Sequence, residues 1–164
     1  MNNDRLINEM ITYYTGDPRR IQHFLKVYTF AGIIGRGEGL SENELAILET
    51  AALTHDIGIK VCEEKYGSCN GKQQELEGPP IAEAMLQKLG YADDVIDRVS
   101  YLISHHHTYS NIDGSDYQIL VEADFLVNMF EGGFPLMNIE SAYNKIFQTE
   151  TGMRLCRHMF GLDI

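Results

Sequence analysis

Apolar residues recur three and four positions apart along almost all of this 164-residue chain, which is the spacing of one face of an α-helix. In residues 2–15 the apolar stripe comprises Leu6, Ile7, Met10, Ile11 and Tyr14. The long segments show this period rather than the alternation of half-buried strands. The sequence therefore predicts an all-α helical bundle. Because it contains no repeat, low-complexity stretch or domain boundary, residues 1–164 are predicted to form a single domain.

Capping residues, glycines and prolines predict where the helices begin and end. Asp17-Pro18 is typical of an N-cap followed by proline in the first turn, and this helix is expected to end near Gly35. A capping box at residues 41–44 begins the next helix, which ends around residues 55–58. The polar region 60–78 is predicted to be a loop with room for a short helix, and Pro79-Pro80 to open a helix that Gly90 closes. Further helices are expected at 93–105 and 117–131, after a turn-rich connection at 108–116, with one or two more within about 135–160.

The net charge of −11, from 13 basic and 24 acidic residues, argues against a nucleic-acid duplex as partner, since a phosphate backbone favours a basic face. An acidic chain can still bind a small phosphate ester if a metal ion or a few placed cations supply the attraction. The three cysteines are odd in number and form no CxxC pair, which favours a reducing compartment. Without a signal peptide or a membrane-spanning apolar run, the expected location is cytoplasmic.

Four side chains form a spread-out set of metal ligands. His23 and Asp124 lie within apolar-periodic segments, and His55 and Asp56 are adjacent at a helix end before Gly58. Imidazole nitrogens and carboxylate oxygens both bind divalent metals. An unpaired aspartate on the apolar face of the 117–131 helix would be costly, and a cation would remove that cost. Each residue alone is commonplace, but together they indicate a metal site.

Three segments carry a resemblance to a known family. Residues 52–58, ALTHDIG, resemble the ALLHDIG signature of the HD-domain superfamily of metal-dependent phosphohydrolases. Residues 20–27, RIQHFLKV, look like its RxxHxxxV helix, and residues 122–126, EADFL, look like its xADxL helix. The resemblance covers roughly residues 18–130 and implies an α-helical bundle of the HD type. It also implies that His23, His55, Asp56 and Asp124 bind a divalent metal.

The resemblance suggests roles for several further residues. His106 and His107 are candidate ligands of a second ion, and His106 is also a candidate for contact with the substrate phosphate. A solvated helix end is the plain alternative for the run of histidines at 105–107. Glu77 is a candidate to orient the attacking water, Lys60 to stabilise phosphoryl charge, and Arg20, one turn before His23, to bind phosphate. Asp56 is a candidate ligand and proton acceptor.

Aromatic residues could form a stacking platform for a base, but at helical spacing they are more often core, and we interpret them as core. They are Tyr13, Tyr14, Phe24, Tyr28 and Phe125.

The leading functional hypothesis is a metal-dependent phosphohydrolase that uses metal-activated water on a small phosphorylated substrate, with a nucleotide as the favoured class. One alternative is a di-iron, oxygen-dependent HD enzyme, for which His106 and His107 would supply extra ligands. Another is a regulatory domain that binds a metal and a nucleotide without catalysis. The sequence leaves open whether one or two ions bind, which of Mn, Fe, Ni, Co, Zn or Mg is native, and the oligomeric state.

Overall fold

The computed structural model describes residues 3–163 and, within that range, contains nine α-helices and no strand. None of these helices is both long enough and apolar enough to cross a membrane. The helices are α1 (Asp4–Tyr13), α2 (Pro18–Gly37), α3 (Glu42–Thr54), α4 (Ile59–Tyr66), α5 (Gly71–Leu89), α6 (Asp93–Ile103), α7 (Ser115–Glu131), α8 (Leu136–Ile146) and α9 (Glu150–Phe160).

Helices α2, α3 and α7 form the centre of the bundle. Each of the three packs against the other two, and their facing side chains, such as Val27, Leu48 and Leu120, are fully buried. Helix α6 packs on the outside of α3, α5 packs on α6, and α8 and α9 pack against α7. The predicted metal ligands lie on α2, just after α3 and on α7, so the fold brings them to the interior.

Local capping interactions explain why the central helices begin where they do. The Asp17 carboxylate accepts a hydrogen bond from the backbone N–H of Arg20 at 3.1 Å, and Pro18 occupies the first turn of α2. Ser41 and Glu44 form the expected reciprocal capping box at the start of α3. The predicted starts of both helices are confirmed. Helix α2 continues two residues beyond the expected end, to Gly37.

The prediction for residues 60–80 was wrong in its main feature. Pro79 and Pro80 do not open a helix but lie inside α5, which begins at Gly71. The missed signal was a second capping box, in which Asn70 and Gln73 exchange hydrogen bonds at 2.9 and 3.0 Å. Helix α4 occupies most of the remaining region.

A contact between two glycines explains how the proline-containing helix packs. A Cβ atom added to Gly58 would lie 2.8 Å from the backbone nitrogen of Gly78, which is much too close for a real contact. Gly78 immediately precedes the two prolines, which cannot donate backbone hydrogen bonds to the preceding turn. The helix therefore passes directly over the chain that follows His55 and Asp56.

Candidate metal centre

The four predicted ligands meet at one point inside the bundle. The Nε2 atom of His23 lies 3.3 Å from Asp56 Oδ2, 3.2 Å from Asp124 Oδ1 and 3.3 Å from Nε2 of His55. Nε2 of His55 lies 3.4 Å from Asp56 Oδ2 and 3.5 Å from Asp124 Oδ1. Residues separated by as many as 101 positions thus place the two Nε2 atoms within 3.5 Å of each other and of one oxygen from each aspartate.

The opposite nitrogens of the two imidazoles show which way their lone pairs point. Nδ1 of His55 lies 2.8 Å from the backbone oxygen of Ala52, and Nδ1 of His23 lies 3.0 Å from Glu131 Oε2. Because a carbonyl or carboxylate oxygen can only accept, each Nδ1 carries the proton in the neutral ring. Both Nε2 lone pairs are therefore directed at the two aspartate oxygens, and only a cation or added protons can make this arrangement favourable.

This donor set fits a divalent metal. Atoms that bind one ion at about 2.0–2.2 Å are separated from each other by roughly 3–3.5 Å, which is the spacing of these atoms. Hydrogen bonds from ligand imidazoles to a carboxylate or a carbonyl, as made by His23 and His55, fix the ring orientation in metal sites. His23, His55 and Asp56 alone offer three such atoms within 4.8 Å of one another.

Two more histidines border the centre from the segment that follows α6. Nδ1 of His106 donates to the backbone oxygen of Ile103 at 2.7 Å, so its Nε2 carries a lone pair. That Nε2 is buried, has no hydrogen-bond partner within residues 3–163 and lies 3.5 Å from Asp56 Oδ1. Asp56 thus turns one oxygen to His23 and His55 and the other to His106. His107 could join Asp56 and His106 in holding an ion, although its Nε2 lies 2.9 Å from Gln74 Oε1.

Electrostatic interactions among the protein groups of the centre favour charged carboxylates and protonated imidazoles. Burial alone would raise the pKa of the Asp56 carboxyl, but the facing His55, His106 and His23 hold it well below its usual range. The Asp124 pKa is lowered for the same reason, by hydrogen bonds from His23 and His55 that outweigh burial. Conversely, burial would lower the pKa of His55 and His23, but the two aspartates raise it. Protons and a metal ion would therefore compete for this centre.

The structure places two other candidates, Glu77 and Lys60, in contacts of their own. Glu77 accepts hydrogen bonds from Lys65 at 2.7 Å and from Tyr66 at 2.8 Å. The ammonium of Lys60 donates to the backbone oxygen of Tyr13 at 3.2 Å and lies over the ring of that residue. These partners are not among the converging residues, and the catalytic roles of Glu77 and Lys60 stay predictions.

Arg20 lines the mouth of the centre, but its guanidinium is engaged. It forms ion pairs with Asp17 at 2.5 Å and with Glu63 at 2.6 Å. The neighbouring Arg19 is exposed and makes no ion pair within 4 Å among the described residues. Arg19 therefore lines the cavity without a competing ion pair in the described part of the chain, and its place four residues before His23 on α2 could be read from the sequence.

Two further residues of α7, Asn128 and Glu131, contact the predicted ligands, and the sequence analysis missed both. They follow Asp124 by four and seven positions, so they lie on the same face of the helix. Asn128 donates from Nδ2 to Asp124 Oδ1 at 2.8 Å. Glu131 contacts Nδ1 of His23 and forms an ion pair with Lys26 at 2.7 Å. Together with Arg19, His23 and Asp56, they line an open cavity of about 390 Å³, through which a small molecule can reach the centre.

The fold and the site define a class: an all-α protein whose central helices hold two histidines and two aspartates arranged for a divalent metal. The family model described as "HD domain" matches residues 20–136, and this chain belongs to that family, whose members include metal-dependent hydrolases. A similar solved structure is described as a predicted HD superfamily hydrolase from an uncultured Thermotogales bacterium. The two chains share 24% sequence identity and superpose with a TM-score of 0.68. The match covers 97% of this chain and 86% of that chain, and this likeness shows the fold. The curated proteins include no match.

Proposed function

We propose that this protein is a metal-dependent phosphohydrolase that acts on a small phosphate ester, with a nucleotide as the favoured substrate class. The observation that carries the proposal is the convergence of the His23 and His55 lone pairs with the Asp56 and Asp124 carboxylates beside an open cavity. A divalent ion held there would lower the pKa of a bound water and polarise a phosphoryl oxygen.

The protein residues would hold the ion, orient the ester and move one proton. His23, His55 and Asp124 are the proposed ligands, and the Glu131 carboxylate and the Ala52 carbonyl keep the two rings in position. Asp56 is a proposed ligand through Oδ2. Its Oδ1, on the side of His106, could accept the proton of the attacking water.

The substrate phosphate needs positive charge from a chain that is strongly acidic overall. Arg19, at the mouth of the cavity and free of ion pairs among the described residues, is the proposed phosphate-binding cation. A guanidinium can bind two phosphate oxygens at once, which orients the ester as well as neutralising it. Arg20 could assist only by giving up Asp17 or Glu63.

The test is phosphate release from a panel of phosphomonoesters and diesters, with each candidate divalent metal added in turn. We expect metal-dependent turnover that falls at least about a hundredfold in Asp124→Ala and in Asp56→Ala, since each removes a ligand. Asp97→Ala, an exposed aspartate on α6, is the matched control and should retain full activity. Absence of turnover with every metal, or full activity in Asp124→Ala, would refute the proposal.

One observation favours a second candidate, an oxygen-dependent enzyme with two iron ions. The buried Nε2 of His106 has no hydrogen-bond partner among residues 3–163 and, with His107 beside it, offers ligands for a second ion on the far side of Asp56. Two irons per chain together with substrate-dependent oxygen consumption would support this candidate. Phosphate release by the iron-free protein would exclude it.

A further inference from the structure

A second cavity adjoins the metal centre. Its volume is about 340 Å³, which is in the range of small-molecule sites. Arg19, Asn128 and Glu131 line both this cavity and the one that opens onto His23 and Asp56, so the two spaces share a wall. A ligand that places its phosphate at the centre would therefore extend past Arg19 into the second cavity.

Three aromatic side chains line the second cavity: Tyr109, Phe125 and Phe134. The rings of Tyr109 and Phe125 meet edge to face with centroids 5.2 Å apart. Tyr109 is 45% exposed and Phe134 is 41% exposed, so part of each ring is available to a ligand. Large exposed aromatic rings that surround one cavity are typical of a binding surface rather than a core.

The turn after α7 fixes the position of Phe134. A Cβ atom on Gly132 would lie 2.8 Å from a carbon of the Phe134 ring, so the ring rests directly against the glycine. Gly133 has a φ of +59°, a conformation that glycine adopts without the cost that other residues meet. The backbone thus holds the Phe134 ring at the wall of the cavity.

The polar groups of the shared wall suit a ligand that is polar at one end and flat and apolar at the other. The amide nitrogen of Asn128 donates to Asp124, and its side-chain oxygen accepts no hydrogen bond from the described part of the chain. Arg19, which makes no ion pair in the part of the chain that the structure describes, offers its guanidinium on the same wall. An N–H group on a flat heterocycle could donate to Asn128 while the rings of Phe134 and Tyr109 contact its faces.

We propose that the cavity lined by Tyr109, Phe125 and Phe134 binds the base of a nucleoside monophosphate and selects substrates with an aromatic heterocycle. This inference rests on the proposed phosphohydrolase function and names the residues that set its specificity. Stacking on these rings gives affinity for many bases, because every base has a π-face. The site therefore selects for the presence of a base rather than for one particular base.

The experiment compares adenosine monophosphate with ribose 5-phosphate, which has the same sugar phosphate without the base. We expect kcat/KM to favour adenosine monophosphate in the natural protein. Phe134→Ala and Tyr109→Ala should each reduce the ratio of the two kcat/KM values by about tenfold or more, chiefly through KM, because they remove stacking. Tyr109→Phe keeps the ring and should keep most of the ratio.

Phe130→Ala is the matched control. Phe130 is a 67% exposed aromatic residue on α7, the helix that carries Phe125, and it does not line the cavity, so the ratio should stay unchanged. If ribose 5-phosphate is hydrolysed and the ratio is the same in Phe134→Ala and Tyr109→Ala as in the natural protein, the inference is overturned while the proposed function stands. It is also overturned if Phe134→Ala dissociates a dimer, seen by light scattering, without changing the ratio.

A binding measurement separates failure of the inference from failure of the proposed function. If neither ester is hydrolysed, calorimetric titration with adenosine monophosphate tests the cavity directly. Binding to the natural protein that weakens about tenfold in Phe134→Ala but not in Phe130→Ala supports the base site. No binding, or equal binding to both variants, overturns it.

Discussion

His23 and His55 can act as ligands because of the atoms on the far side of their rings. A backbone oxygen fixes His55, whereas a side chain, Glu131, fixes His23. The backbone partner cannot be removed by substitution, but the carboxylate can. His23 is therefore the proposed ligand whose ring orientation can be tested without substituting the histidine itself.

Glu131→Ala should weaken metal binding about 10- to 100-fold, because it removes the group that holds the His23 ring and its tautomer. Glu131→Gln retains an oxygen that can accept from Nδ1 and should recover a large part of the affinity. Calorimetric titration of the metal-free protein with Mn²⁺ or Zn²⁺ measures both effects.

Lys26→Ala is the control for these variants, since it breaks the ion pair with Glu131 and leaves the contact to His23 in place. Its affinity should stay close to that of the natural protein. Equal affinities in Glu131→Ala and the natural protein would show that the carboxylate does not orient the ring. A loss in Glu131→Gln as large as in Glu131→Ala would show that its charge matters more than its hydrogen bond.

Single residues also show how far the sequence could predict the centre. The four convergent residues are identifiable from their types and from the motifs around them. The choice between Arg19 and Arg20 is not, because Arg20 is occupied by Asp17 and by Glu63, a residue 43 positions away on α4. Glu77 was singled out by its place in the chain, but its contacts with Lys65 and Tyr66 depend on how α4 and α5 fold back on each other.

Helices α4 and α5 determine the space around the metal centre. Gly58 lies between His55-Asp56 and α4, and it touches the backbone of Gly78 in α5. Neither glycine has a positive φ, so their role is to permit close approach rather than an unusual conformation. The sequence prediction missed this arrangement because prolines usually begin helices, whereas here Asn70 and Gln73 form a complete cap nine residues earlier.

Gly58→Ala should destabilise the protein by about 1–3 kcal/mol, because its Cβ would meet the backbone of Gly78 at 2.8–3.0 Å and a backbone cannot rotate away. The displacement should also reach Asp56 and weaken metal binding. Urea unfolding and calorimetric metal titration measure the two effects.

Gly78→Ala is the informative comparison. Its Cβ would lie 2.7 Å from a methyl group of Ile103, and that side chain can change its position. We expect a smaller loss of stability than in Gly58→Ala, with metal affinity close to normal. If Gly58→Ala has the same free energy of unfolding as the natural protein, α5 can move away from the centre and the contact between the glycines does not position Asp56.

The bundle as a unit keeps charged and polar ligands in an interior that is otherwise apolar. His55 is fully buried, and Asp124 is 4% exposed. Packing of α2, α3 and α7 brings these groups together, which stabilises the fold only if protons or a cation balance the carboxylates. The sequence predicted which helices would carry the four convergent residues. The balance between protons and a metal depends on the distances between their side chains, which only the folded chain provides.

Metal should stabilise the protein more at alkaline than at acidic pH. The pKa values of His23 and His55 are raised in the metal-free fold, above the ordinary value of 6.5, whereas those of Asp56 and Asp124 are lowered. The carboxylates therefore stay ionised near neutrality, and only the imidazoles titrate. A raised histidine pKa stabilises the metal-free fold fully below about 6.5 and loses this contribution as the pH rises through the folded value.

Metal binding needs neutral imidazoles. Below the raised pKa values the metal therefore competes with protons for the two histidines, and above these pKa values the metal supplies the stabilisation that the lost protons no longer provide. The expected outcome is a difference in melting temperature, with and without saturating metal, that grows as the pH is raised from below 6.5 into the alkaline range. Scanning fluorimetry with metal or chelator across the pH series measures this difference. Titrating groups outside the centre affect both melting temperatures alike, so their effects largely cancel in the difference. Asp124→Asn should show a small difference at every pH, because it removes a ligand charge. If the difference in the natural protein is constant or falls as the pH rises, metal binding does not displace protons from the imidazoles of His23 and His55.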